Sequence, residues 1–170
     1  MLNIKPENFI HCPFCAKKLS TIKIEEKDVK NCVGCKWYYF PHVKCAVGAL
    51  IIQDNKILFA KRNREPFKDT YMLPAGYVDY GEHPEDTLKR EVIEETGLEV
   101  VDFKLLDIIQ NPDDPRAVGH FGIFYLVTKI KGKVVNNDVE ENSLVKWFNI
   151  KDLPKIGFKS HKEILKEYLK

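Results

Sequence analysis

The chain has 170 residues, 44% of them hydrophobic, and its 27 basic and 25 acidic side chains leave a net charge of +2. This length supports one domain with a sizeable core plus a small appendage, and the balanced charge gives no electrostatic case for DNA, RNA or a membrane as the main partner. No apolar run approaches the roughly eighteen residues of a membrane span and the N-terminal stretch is too polar for a leader, so a cytoplasmic setting is expected.

The first predicted element is a pair of knuckles. Cys12-Pro13-Phe14-Cys15 and Cys32-Val33-Gly34-Cys35 are separated by sixteen residues, a zinc-ribbon spacing. Four thiolates surround Zn²⁺ tetrahedrally and leave no open position, which reads as a structural site. A segment of this size cannot bury enough core to fold alone, so the metal supplies much of its stability. Two disulfides, or iron held as in rubredoxin, are the rival readings. Ribbon knuckles often carry Gly after the second Cys; Ala16 and Lys36 stand there instead, and a strained or altered turn is expected. The aromatic run Trp37 to Phe40 either packs the ribbon or lines a cleft. The expected boundaries are 1–41 for the ribbon and 42–170 for the larger domain.

Val43 to Ile52 reads as a strand, with Cys45 as a core residue rather than a nucleophile. A turn at Asp54-Asn55 leads to a second strand, Lys56 to Arg62. After a loop containing Pro66, Met72 to Ala75 leads into the next segment, where a helix is predicted from near Pro84 to Thr96. Pro84 suits a first turn, where its missing N–H is not needed. Glu85 and Asp86 place negative charge at the positive end of the helix dipole, and Gly97 suits the left-handed exit. Leu88 and Val92 mark the inward side. Glu91, Glu94 and Glu95 sit at i, i+3 and i+4, with their carboxylates on one side. Such carboxylates repel one another unless a cation joins them, and oxygen ligands favour Mg²⁺ or Mn²⁺. A solvated acidic helix face is the bland alternative. Further strands are read at Val100 to Gln110, Gly119 to Thr128 and Leu144 to Ile150. Asn111 to Arg116 is a loop, Gly132 to Asp138 a strand or hairpin arm, and Phe158 to Leu169 a closing helix. This order suggests a mixed sheet between helices, an α/β fold.

Gly76, five residues, Glu82, seven residues, then Arg90-Glu91-Val92-Ile93-Glu94-Glu95-Thr96-Gly97-Leu98 resembles the Nudix box, with each defining position filled. The resemblance covers roughly Val43 to Lys170 and implies a Nudix α/β/α sandwich with a mixed sheet, preceded by the small zinc ribbon. It implies a metal-dependent hydrolase of a nucleotide diphosphate. Glu91, Glu94, Glu95 and the Gly76 carbonyl would hold Mg²⁺ or Mn²⁺, Arg90 would orient the glutamates, and Glu82 would brace the loop. The general base is Glu91 or Glu141, the latter at about the place of the later-loop glutamate in other members. Arg62 and Arg64 are candidates for a second phosphate or a ribose. Tyr77, Tyr71, Phe121 and Tyr38 are candidates to stack on a base.

A ribbon before such a domain is similar to two groups, NADH pyrophosphatases and ribbon-bearing ADP-ribose or FAD pyrophosphatases. The Ser-Gln-Pro-Trp-Pro-Phe-Pro stretch of the first group is missing between Leu105 and Pro112, whereas Leu73-Pro74-Ala75-Gly76-Tyr77 is similar to the second. An ADP-ribose- or FAD-type substrate is therefore expected. NADH, nucleoside triphosphates and a nucleotide-sensing regulatory role remain the alternatives, and a homodimer is left open.

Overall fold

A computed structural model of the chain describes residues 8–40, 42–111, 113–115 and 119–169. The chain divides into two compact units, Met1–His42 and Val43–Lys170. Pro112 and Arg116 of the expected loop, Pro41 and most of the N-terminal stretch lie outside the described residues.

The first unit is a three-stranded antiparallel sheet, β1 (Ser20–Ile24), β2 (Lys27–Cys32) and β3 (Trp37–Tyr39), in that order. Its core is small: Cys12, Leu19 and Cys32 are buried, with Phe9 and Trp37 packed against them. Trp37 meets Phe14 edge-on, and Phe9 stacks on Tyr39 at 4.2 Å, so part of the aromatic run is spent inside the ribbon itself. Ala16 and Lys36 both adopt left-handed backbone, φ 56° and 54°, the turn that glycine would occupy without strain.

The second unit is built on a sheet of seven strands: β4 (Cys45–Gln53), β5 (Lys56–Arg62), β6 (Tyr71–Met72), β7 (Ala75–Tyr77), β8 (Glu99–Gln110), β9 (Phe121–Lys131) and β10 (Asn142–Asn149). The main path runs β10-β5-β4-β9-β8, with β6 beside β5 and β7 beside β4. β4 and β9 are parallel, from Cys45↔Phe121 to Ile51↔Val127; the other pairs are antiparallel. Successive side chains of a strand face opposite sides, and β4 and β5 use both. Val47, Ala49, Ile51, Leu58 and Ala60 share a core with Leu88 and Val92 of α1 (Pro84–Thr96). Leu50, Ile57 and Phe59 pack with Ile164 and Leu165 of α2 (Lys159–Tyr168). The mixed sheet therefore lies between two helices. Leu88 and Val92 are completely buried, worth roughly 2 kcal/mol each in transfer free energy.

Two expectations are corrected. Residues 132–138 form no strand: Gly132 turns at φ 97°, and the segment is strapped to α1, with Val135 N–H donating to Thr96 O at 2.8 Å. Cys45 is half-buried rather than a core residue. Around the start of the box, β6 and β7 add two short strands that were not expected.

Candidate active site

The helix α1 is placed by its ends. His83 is the N-cap, its Nδ1 accepting from Glu85 N–H at 3.3 Å. Gly97 closes the helix at φ 71°, donating its N–H to Ile93 O at 2.9 Å. Along the helix, Leu88, Val92 and Glu95 fall at i, i+4 and i+7, one stripe. That spacing turns Glu95 inward, and it is 1% exposed. The expected row of three carboxylates is thus graded, with Glu94 exposed, Glu91 half-buried and Glu95 buried. Among the described residues, the side chains gathered closely enough to hold a metal ion are the four ribbon cysteines.

Arg90 ties the acidic side chains together. Its Nε and Nη2 donate to the two oxygens of Glu82, each at 2.8 Å, a bidentate fork. Nη1 donates to Glu91 at 2.7 Å and to Glu94 at 3.1 Å, and Nη2 also reaches Tyr77 O at 3.1 Å. Glu82 in turn accepts from Thr87 Oγ1 at 2.7 Å and Asp79 N–H at 3.2 Å. The Arg90 fork, helped by Thr87, holds the Glu82 carboxyl down at about 2. Glu91 goes the other way. Burial raises it, Arg90 opposes this, and the charges of Glu94 and Glu82 add to the rise. Glu95 accepts from Ala75 N–H and from Asn142 Nδ2, both at 2.9 Å, yet burial pushes its carboxyl up to about 8.

Gly76 lies in β7 opposite Val47. A Cβ there would overlap the Glu91 carboxylate, so the absence of a side chain is what lets the strand backbone and the helix carboxylate touch. Gly76, Glu91, Glu94 and Arg90 line a cleft of about 330 Å³. Asp138 and Glu141, from the segment before β10, and Arg62 and Arg64 line it too. Arg64 pairs with Glu141. Arg62 is not the surface cation its sequence neighbours suggest. It is 3% exposed, donates through Nε to Pro66 O at 2.6 Å, and lays its guanidinium 5.1 Å from the Phe158 ring centroid.

Of the stacking candidates, Tyr77 lines the cleft, with Lys44 Nζ 5.1 Å from its ring centroid. Tyr71 packs edge-on against Phe148 instead. Tyr71 and Phe121 are not among the lining residues, and Tyr38 belongs to the other unit. Sequence reasoning missed several cleft residues. Asn111 and His120, both buried, lie 2.9 Å apart through Nδ2 and Nε2. His161 accepts Leu73 N–H on Nδ1 at 3.0 Å. Burial lowers His161 to about 3, with the Arg62 charge adding to this, so the ring is a neutral wall of the cleft. The only forewarning was its place one turn before Ile164 on the amphipathic helix.

In the ribbon, the sulfurs of Cys12, Cys15, Cys32 and Cys35 all lie within 4.8 Å of one another, with Cys15 and Cys32 3.6 Å apart. Sulfurs around a tetrahedral zinc with Zn–S near 2.3 Å stand about 3.8 Å apart, so the four fit that ion.

Residues 43–168 match the NUDIX domain. The chain is 36% identical over 156 residues to an ADP-ribose pyrophosphatase of Methanocaldococcus jannaschii, covering 91% of this chain and 86% of that protein. It is 26% identical over 145 residues to the NAD-capped RNA hydrolase NudC of Pectobacterium carotovorum, covering 85% of this chain and 53% of that protein, so it spans about half the length of that relative. A solved NUDIX hydrolase from Nitrosomonas europaea matches its fold with a TM-score of 0.76 at 20% identity, over 95% of this chain and 90% of that one. No helix among the described residues is long and apolar enough to cross a membrane.

Proposed function

Because the chain belongs to the NUDIX family, and is a Nudix pyrophosphohydrolase, we propose that it cleaves the diphosphate of an adenosine diphosphate derivative such as ADP-ribose or FAD. The products are AMP and a second phosphorylated fragment, ribose 5-phosphate or FMN. The observation that carries the substrate class is the 36% identity, over 91% of the chain, to a protein described as an ADP-ribose pyrophosphatase. The missing Pro-Trp-Pro-Phe stretch supports the same choice over a dedicated NADH enzyme.

The donor set suits Mg²⁺ or Mn²⁺. It is all oxygen, and Gly76 leaves beside the Glu91 carboxylate the space that a Cβ would fill. Glu91, Glu94, Glu95 and the Gly76 carbonyl would hold the ion. When bound, it neutralises the diphosphate and lowers the pKa of an attacking water. Each carboxylate oxygen carries two acceptor positions, so the bonds Glu95 makes to Ala75 and Asn142 leave it capacity for a cation. Arg90 holds Glu91 and Glu94 in orientation, and Glu82 fixes Arg90. Arg62 and Arg64 line the cleft and carry the right charge for the second phosphate or its ribose. Tyr77 offers a ring to the base. Glu91 and Glu141 both border the cleft and are the two candidates to take the proton of the attacking water.

Comparing kcat/KM for ADP-ribose, FAD, NADH and a nucleoside triphosphate, with Mg²⁺ and with Mn²⁺ and with products identified by mass, tests this reading. ADP-ribose or FAD is expected to lead, because buried polar partners for the far group discriminate strongly when left unpaired. A clear preference for NADH or for the triphosphate overturns it.

The ribbon is proposed to hold one structural Zn²⁺ through Cys12, Cys15, Cys32 and Cys35. Metal analysis should return about one zinc per chain, and Cys32→Ser should lower that content sharply. A folded, active preparation with no metal at these cysteines contradicts it.

A further inference from the structure

Asn142 opens β10 and is completely buried. Its Nδ2 donates to Glu95 Oε1 at 2.9 Å. Its backbone holds the acidic segment that precedes it: the Asn142 N–H donates to Asp138 O at 2.9 Å, and Asn142 O accepts from Asn136 Nδ2 at 2.9 Å. Its neighbour Glu141 donates N–H to Asp138 Oδ1 at 2.9 Å and accepts at its carbonyl from Asn63 N–H at 2.8 Å. Asn137 Nδ2 reaches Ile93 O of α1 at 3.3 Å. The segment that brings Asp138 and Glu141 to the cleft is therefore fastened to the box helix, and the direct side-chain link to a box carboxylate is the Asn142 amide. The other oxygen of Glu95 holds Ala75 N–H, next to Gly76. One short chain of hydrogen bonds thus joins the Gly76 strand, α1 and the acidic segment. Asn142 Oδ1 has no partner among the described residues. A buried acceptor left unpaired is a cost the fold carries, which packing alone does not explain, since an apolar side chain of similar shape would avoid it.

Resting on the reading of this cleft as a divalent-cation hydrolase site, we propose that Asn142 is a positioning residue. It orients the Glu95 carboxylate for the cation and sets the Glu141 segment in register with the box helix. Partners in the shell behind metal ligands typically change metal affinity or activity about 10- to 100-fold when removed.

Direct Mn²⁺ binding, followed by the electron paramagnetic resonance of the free ion, reads this without reference to turnover. Asn142→Ala should weaken Mn²⁺ binding about tenfold or more. Glu95→Gln should also weaken it, and the double variant should bind no more weakly than Glu95→Gln alone, because the amide acts through that carboxylate. Asn142→Leu keeps the shape and removes the donor; it is read in the same titration if the alanine variant does not fold, with the same expectation. Unchanged Mn²⁺ affinity with only a lower melting temperature overturns the proposal, and so does full additivity in the double variant. A wild-type protein that binds Mn²⁺ but hydrolyses no nucleotide diphosphate defeats the functional reading and leaves this one standing. One that binds no Mn²⁺ defeats both.

Discussion

Glu94→Gln and Glu95→Gln are each expected to lower hydrolysis by about two or more powers of ten while leaving the fold intact, since each removes a negative oxygen from the proposed cation site. Near-normal turnover in both would place the chemistry elsewhere. The two variants should part company in stability. Glu95 is buried, and its folded-state carboxyl sits at about 8, above its ordinary value of 4.5. For a group raised in this way, the protonated form stabilises the fold fully below the unfolded value, and that contribution is lost as pH climbs through the folded one. Metal-free wild-type protein should therefore lose stability between about pH 4.5 and 8, and Glu95→Gln should flatten that slope. Glu94 is exposed and lacks this burial. Parallel slopes in wild type and Glu95→Gln, followed by thermal melts across pH, would contradict the buried placement. The same rate assay decides the base. If Glu141→Gln keeps its pH–rate profile while Glu91→Gln loses it, the base is Glu91, and the reverse result assigns Glu141.

Gly76→Ala is the second large effect. The backbone there is not left-handed, so alanine meets no conformational objection. What it meets is the Glu91 carboxylate, which must move aside. Displacement of a reacting group by about 1 Å can cost about a hundredfold in rate. The expected result is a fall in kcat of that order, with circular dichroism unchanged. An alanine variant of normal rate would mean that Glu91 can shift without consequence, which would remove it from both the ligand set and the base candidates.

The parts of this molecule that were legible in the sequence are those written in local chemistry. The helix expected from near Pro84 to Thr96 is found at Pro84–Thr96, because a proline start, an acidic first turn and a glycine exit all speak to neighbouring backbone. The strand Lys56–Arg62 likewise has turn residues before it and a loop after it. The left-handed turns at Ala16 and Lys36 followed from the position after each second cysteine. What escaped depended on partners far along the chain. Glu95 looked like its exposed neighbours until its spacing from Leu88 and Val92 was set against the sheet. Asn142, His161 and Asn111 are polar side chains whose burial is made tolerable by hydrogen bonds with residues of other elements or loops. The stretch 132–138 reads as a strand or hairpin arm, but its asparagines bind α1 and β10 instead.

The parallel pairing of β4 with β9 has a consequence for how the chain becomes active. Cys45 meets Phe121 and Ile51 meets Val127, contacts that close a long loop before they repay its entropy. The box helix carries its own start and stop signals and can form early, but the cleft draws its walls from Ala46 through His161. A growing chain that has emerged only as far as the box therefore holds the motif without the cavity. During synthesis the cleft cannot be complete until the last helix has emerged, because His161 of that helix is one of its walls.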